Sequence, residues 1–424
     1  MTLSKKGTAW FADDGASHAI HGLIRPQAWY HEGRTYVVYM GKMNAPQITY
    51  YDHAQGEWSQ IVPAGVNPLG DQDTHGAPAM LIDREGFILL FFGSHGGAQK
   101  YVRSKRPGDI TEWEPMPDIT GNGTYPFPVL MADGTILLFM RKGMHDSPWF
   151  EICSRDGGLT WSAPKDILSF VPQGIYASFW PGSDGKTVHC TFAHDDLTQT
   201  PEWENRRHCF YMMRGVDGRW KSVTGDALDL PVTPETAFGK CLVARTDPPT
   251  HGNVGCIGVD RNNRPTIVFL HGEVSKADFT LKCARWTGTG WAIGNITQTD
   301  DVFDHYCAIF PDDNDRIRVL LIAGGSDATE IKRGGDLQLW SSEDGGGTWN
   351  KEKDIITRAE TSELYANPDA VVHGHPDGRI VFCSWHHGIT RNIINGKVIL
   401  KGYRSDDFTH RVFLFGDSGF LGRP

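Results

Sequence analysis

The stretch DTHGAPAMLIDREGFILLFFGSHG, residues 73–96, holds two short apolar runs, AMLI and ILLFF, on either side of a turn from Asp83 to Gly86. Runs this short, bounded by Asp and Gly, mark a β-hairpin rather than a helix. The next such stretch, TYPFPVLMADGTILLFMRKG at 124–143, repeats the plan with Asp133 and Gly134 at its turn. Working outward, the same unit recurs at 21–42 (turn at Glu32 and Gly33), 176–194 (Asp184 and Gly185), 253–271 (turn 261–263), 305–324 (turn 312–315) and 367–387 (Asp377 and Gly378), which makes seven copies.

Most copies start about 50 residues apart, which leaves room for two further strands, and four strands per repeat is the blade of a β-propeller. The expectation is therefore an all-β chain, a single seven-bladed β-propeller domain over residues 1–424. The longer interval between Tyr176 and Asn253 predicts an insertion, and the residues from about Arg404 are expected to pair with the first blade. SRDGGLTW at 154–161 and SEDGGGTW at 342–349 fit the Ser-x-Asp-x-Gly-x-Thr-Trp pattern of the Asp box. In that turn Ser and Asp satisfy backbone groups while Trp packs between blades, so the motif speaks for architecture and not for chemistry.

Composition narrows the partners. With 49 Gly, 14 Trp and 11% aromatic residues the chain suits many strands joined by tight turns, and flat rings also suit sugars. A formal net charge of −10 excludes the broad basic surface that nucleic acid or an anionic membrane requires. No apolar run approaches the roughly 18 residues of a membrane span. A polyanionic ligand would have to be held by a local group of Arg, Lys and His. A monomer is expected. The eight Cys include no CxxC pair, so no zinc ribbon or dithiol redox motif is written; most read as free thiols in strands, with a structural metal at Cys and His189, His194 or His208 as the minor reading. The start MTLSKKGTAWFADDG lacks the apolar core of a signal peptide, which suits a cytoplasmic protein or an exported one whose leader has been removed.

Blade geometry brings particular side chains together. The start of the innermost strand and the end of the second lie at one face. His75 and His95 flank one strand pair, Tyr125 and Arg141 the next, so two imidazoles, a phenol and a guanidinium should converge. Taken singly, each has an ordinary explanation: a surface His, a packing Tyr, an Arg paired with Asp146. Together they suit β-elimination at a uronic acid. Arg141 with a His can neutralise the carboxylate and stabilise the enolate-like charge, while Tyr or His moves the protons. Tyr176 and His194 hold the equivalent positions of the following blade, followed by Asn205, Arg206 and Arg207, and are expected substrate contacts.

His-Gly-x-Pro at 75–78, Gly-x-His at 93–95, Thr-Tyr-Pro at 124–126 and Arg-x-Gly at 141–143 closely resemble the BNR-repeat polysaccharide lyases, a group that includes ulvan lyases and rhamnose–glucuronate lyases. The resemblance spans nearly the whole chain. It implies an anionic polysaccharide or oligosaccharide as substrate. It also implies Tyr125 and His75 as proton-transfer groups and His95 and Arg141 as carboxylate neutralisers, with the two His roles open to exchange. No cofactor is implied for catalysis; some family members carry a structural calcium or zinc ion, whose ligands cannot be matched here. The stretch between His95 and Tyr125 is short for the family. Three rivals stand beside this reading: a propeller glycoside hydrolase such as a rhamnosidase acting on rhamnosyl-glucuronate, a sialidase suggested by Ile-Arg-Pro at 24–26, and a carbohydrate-binding propeller without catalysis.

Overall fold

The computed structural model describes residues 8–16, 18–42, 45–70, 73–198, 206–273, 278–299, 307–324, 330–332, 334–361, 363–385, 389–394, 397–402 and 410–424. Apolar runs punctuated by Asp and Gly become hairpins because the turn residues satisfy the backbone locally. Asp83 accepts hydrogen bonds from the N–H groups of Glu85 (3.0 Å) and Phe87 (2.8 Å), and Gly86 takes the left-handed conformation, φ +86°, that an L side chain resists.

The seven strand pairs are Ala28–His31 with Arg34–Met40, Ala79–Ile82 with Ile88–Phe92, Ile119–Leu130 with Ile136–Lys142, Gly174–Pro181 with Val188–Asp195, Cys256–Val259 with Pro265–Glu273, Ala308–Pro311 with Ile317–Ala323, and Leu364–His375 with Gly378–Trp385. Each second strand bonds onward to an antiparallel third: Pro46–Asp52, His95–Ser104, Trp149–Ser154, Arg206–Arg214, Asp278–Trp286, Asp336–Ser342 and His410–Gly416. The result is an all-β fold of successive antiparallel sheets. The inner strands are covered on both faces, and every residue of Ile88–Phe92 is buried. The described α-helices are single turns, Pro234–Thr236 and Arg358–Thr361. The first of these, followed by the turn Ala237–Cys241 and the strand Leu242–Ala244, occupies part of the interval where an insertion was expected.

Two expectations need correction. The C-terminal strand does not add to the first repeat. His410–Gly416 bonds to Gly378–Trp385 on one edge and takes the N-terminal strand Ala12–Gly15 on the other, so the chain's start completes the last unit. The second concerns Tyr125 and Arg141, which lie inside their strands rather than beyond them, because the pair Ile119–Leu130 and Ile136–Lys142 extends past the apolar runs. His305 and His387, which bounded two of the expected repeats, lie outside the described residues.

Phe11 ties the two ends together. It is 1% exposed, stacks on Trp58 at 4.2 Å and meets Tyr39 edge-on, while Trp58 donates to the carbonyl of Leu421. Phe11→Ala should lower unfolding free energy by about 3–5 kcal/mol, the range for a deleted buried aromatic. Denaturant unfolding checks this; a loss below about 1 kcal/mol would mean the terminal strand contributes little to the sheet.

Candidate active site

Asp73 begins the site. Its Oδ1 accepts from the backbone N–H of His75 at 3.0 Å, capping the single turn Thr74–Gly76. The same oxygen lies 2.6 Å from His75 Nδ1, and Oδ2 lies 2.7 Å from His95 Nδ1. One carboxylate thus grips both imidazoles, which stack face to face at 3.7 Å with 11° between their planes. Burial pushes Asp73 upward, but the hydrogen bonds from His75 and His95 outweigh it and hold the carboxyl well below the usual range. His75 is shifted below its ordinary value: burial dominates, Asp73 opposes it, and the neighbouring His95 and Arg141 add to the lowering.

Tyr125 owes its place to a β-bulge. The ladder runs Thr124 opposite Arg141 and then Phe127 opposite Phe139, so Tyr125 and Pro126 together face Met140. Pro126 has no N–H to leave unpaired, which suits it to that position. Tyr125 takes φ +60°, a left-handed conformation uncommon for a bulky residue. Its ring is 3% exposed, stacks near Trp149 at 6.3 Å, and sits 5.4 Å from His75 and 6.1 Å from His21. Burial raises the phenol well above its ordinary value, Tyr176 adds to this, and Arg141 and Arg206 partly offset it.

Arg141 is fully buried, its guanidinium 4.9 Å from the Tyr125 ring centre and 5.1 Å from that of Tyr176. None of its three nitrogens has a hydrogen-bond partner among the described residues. A buried cation without an anion is costly. The buried Nε2 of His95 likewise has no partner among the described residues.

Tyr176 extends the group. Its hydroxyl lies 3.2 Å from His145 Nδ1, His145 is 3.5 Å from the buried Asp195, and the Arg206 guanidinium stacks on the Tyr176 ring at 3.7 Å while donating to Asn253 Oδ1. The structure therefore brings His75, His95, Tyr125, Arg141, Tyr176 and Arg206 into one continuous cluster. Arg207 turns to Asp196 and the carbonyl of Thr250. His194 packs against Phe170 and His208. Asn205 lies outside the described residues. Arg25, of the Ile-Arg-Pro stretch, is buried in an ion pair with Asp369 and donates to Cys256 Sγ. That makes it a structural link between distant strands.

Sequence reasoning passed over Asp73, His21 and His145. Asp73 had a readable signal, since an Asp two residues before a His at a turn start is a natural cap for that turn. His21 opens its repeat as His75 opens its own. His145 gave none, because nothing local ties it to Tyr176, 31 positions away.

Asp73, His75 and His95 also place three possible ligand atoms within 4.8 Å of one another. Shared metal ligation needs lone pairs that converge on one point. These rings are nearly parallel and each Nδ1 meets its own carboxylate oxygen, an arrangement that fits a hydrogen-bonded clamp. A cavity of about 450 Å³ lined by Trp29, Trp180, Arg25 and His373 shares no residue with the cluster.

Residues 27–299 match the model of the BNR repeat-containing family. The chain is 29% identical to the ulvan lyase of Nonlabens ulvanivorans over 99% of its own length and 91% of that protein's, and 29% identical to the ulvan lyase PL25 of Pseudoalteromonas sp. (strain PLSV) over 83% and 79%. Among solved structures it superposes on a PL25 ulvan lyase bound to -[GlcA(1-4)Rha3S]- with a TM-score of 0.82 and 25% identity, covering 98% of this chain and 97% of the other. The polysaccharide lyase Uly1, at TM-score 0.63 and 13% identity, shares the fold. With a family match that spans well over half of its residues, the chain belongs to the BNR repeat-containing family.

Proposed function

We propose that the chain is a polysaccharide lyase that cleaves a rhamnose- and uronate-containing glycan of the ulvan type by β-elimination at the uronate, on one seven-bladed β-propeller domain. The fold reading is supported by seven repeated units in which a fourth antiparallel strand extends the three, the N-terminal strand serving the last, and by the superposition on the PL25 ulvan lyase. One observation carries the functional reading: the buried Arg141 guanidinium, without a hydrogen-bonded partner among the described residues, lies over the Tyr125 ring and near enough to His75, itself stacked on His95, to help lower that imidazole's pKa.

The chemistry follows from how the groups are biased. Arg141 and His95 bind the substrate carboxylate and stabilise the enolate-like charge at C5 and C6. His75, held below its ordinary value, is neutral and takes the C5 proton through Nε2. Tyr125, held above its ordinary value, keeps its proton until the leaving oxygen departs. Two titratable groups pushed apart in this way are suited to base and acid roles respectively. Tyr176 and Arg206 border the phenol and contact the sugar chain. The scheme uses no metal ion.

A hydrolase would need two working carboxylates. Asp73 has both oxygens engaged by imidazoles, and Asp195 lies buried behind His145. Incubation with ulvan should produce a rise in far-ultraviolet absorbance from the conjugated double bond of an unsaturated uronate. New reducing ends without that absorbance would mean hydrolysis, and neither signal would mean binding alone.

The pH dependence has a defined sign. A base works when deprotonated, so kcat/KM should rise with pH through the value for His75, giving an acid limb centred below about 6.5, the ordinary imidazole value. A limb centred clearly above that would remove His75 as the base.

A further inference from the structure

Two histidines that touch the same carboxylate through the same ring nitrogen would be expected to behave alike, yet elimination needs one neutral base and one cation. We propose that Asp73 is a positioning residue that makes them unlike: it holds both rings with Nδ1–H on its oxygens and Nε2 toward the sugar, and its single negative charge supports one imidazolium, on His95, while His75 stays neutral. The proposal rests on the lyase reading for its catalytic meaning, though not for its geometry.

Three observations carry it. Both Nδ1 atoms lie within 2.7 Å of Asp73 oxygens, so each must present a proton to an ionised carboxylate. The stacking at 3.7 Å places two potential positive charges face to face, which disfavours double protonation. The arrangement is also asymmetric. Asp73 Oδ1 is already committed to the backbone N–H of His75, whereas among the described residues Oδ2 meets only the His95 ring, whose buried Nε2 has no described partner. An imidazolium there presents Nε2–H to the incoming carboxylate beside Arg141, while the neutral His75 presents a lone pair to C5–H. On this proposal His75 is the base and His95 the second carboxylate neutraliser, one of the two assignments that the sequence left open.

Asp73→Asn is an informative substitution because the carboxamide keeps the shape but offers one acceptor and one donor. Its oxygen must stay at the Oδ1 position to accept the His75 N–H groups. The NH2 group then faces His95 Nδ1, which can accept only by giving up its proton. Nitrogen NMR of histidine-labelled protein, with His75→Asn and His95→Asn variants for assignment, should show His75 as the neutral Nδ1–H tautomer and His95 protonated at both ring nitrogens in the native protein, with His95 converted to neutral Nε2–H in Asp73→Asn. The variant should unfold at a temperature close to that of the native protein, with kcat reduced about 100-fold and KM changed far less, since charge stabilisation at the carboxylate is lost in the transition state. An unchanged His95 protonation state in the variant, or a native His95 that is neutral in either tautomer, would overturn the proposal. The NMR readout does not depend on turnover, so it stands or falls separately from the lyase reading, which the absorbance assay tests.

Discussion

Tyr125→Phe is expected to remove the unsaturated product almost entirely, lowering kcat by roughly 10³-fold or more, within the range attributed to a positioned proton donor. The substitution isolates the hydroxyl. The ring is nearly fully buried, lies parallel to Trp149 and carries Arg141 over its face, and Phe keeps each of these contacts. The bulge that places residue 125 is made by backbone register and Pro126 and does not need the phenol. Substrate affinity should therefore stay within a few-fold of native, with the loss confined to kcat. A variant retaining near-native kcat would take Tyr125 out of the proton transfer and leave the leaving group's acid unexplained.

Arg141→Met should separate function from stability more sharply than any other change. The guanidinium is fully buried between the rings of Tyr125 and Tyr176 and has no hydrogen-bonded anion among the described residues. Replacing even a buried ion pair by apolar groups of similar volume is often neutral or stabilising, by about 1–4 kcal/mol, and Arg141 has no described anion to offset its desolvation. Unfolding free energy should therefore hold or rise. Activity should fall by about 10³-fold, because the developing charge on the carboxylate loses its forked partner. Arg141→Lys, which keeps a charge without the fork, should recover only part of that loss. If Arg141→Met instead lowered stability by several kcal/mol, the residue would belong to the scaffold and its unpaired state would need another cause.

Much of this architecture was legible because its cause is local. Apolar runs ended by Asp and Gly fold as hairpins wherever they stand, and the strand pair Ala79–Ile82 with Ile88–Phe92 falls where the sequence placed it. The convergence of His75, His95, Tyr125 and Arg141 was readable for a related reason: a repeated unit puts equivalent positions at one face. Tyr125 and Arg141 proved to lie within longer strands, since backbone pairing continues past the end of an apolar pattern into Gly123, Thr124 and Lys142. What stayed hidden depended on contacts between units. The clamp of Asp73 on His95 spans 22 positions and the meeting of Tyr176 with His145 spans 31. Arg206 and Arg207 are adjacent and chemically identical, yet neighbouring residues on a strand point to opposite faces, and only one reaches Tyr176. The exchange at the chain's ends, where Ala12–Gly15 completes the last unit, has the same origin.

The proposal depends on a uronate docking with its carboxylate on Arg141. The most direct test is a crystal structure of Tyr125→Phe in complex with an ulvan oligosaccharide, in which turnover is arrested and the pocket kept. The carboxylate should lie in a forked contact with Arg141 and within hydrogen-bonding reach of His95 Nε2, with C5 facing His75 Nε2 and the glycosidic oxygen toward residue 125. A sugar bound with its carboxylate away from Arg141, or with C5 turned from both His75 and residue 125, would contradict it.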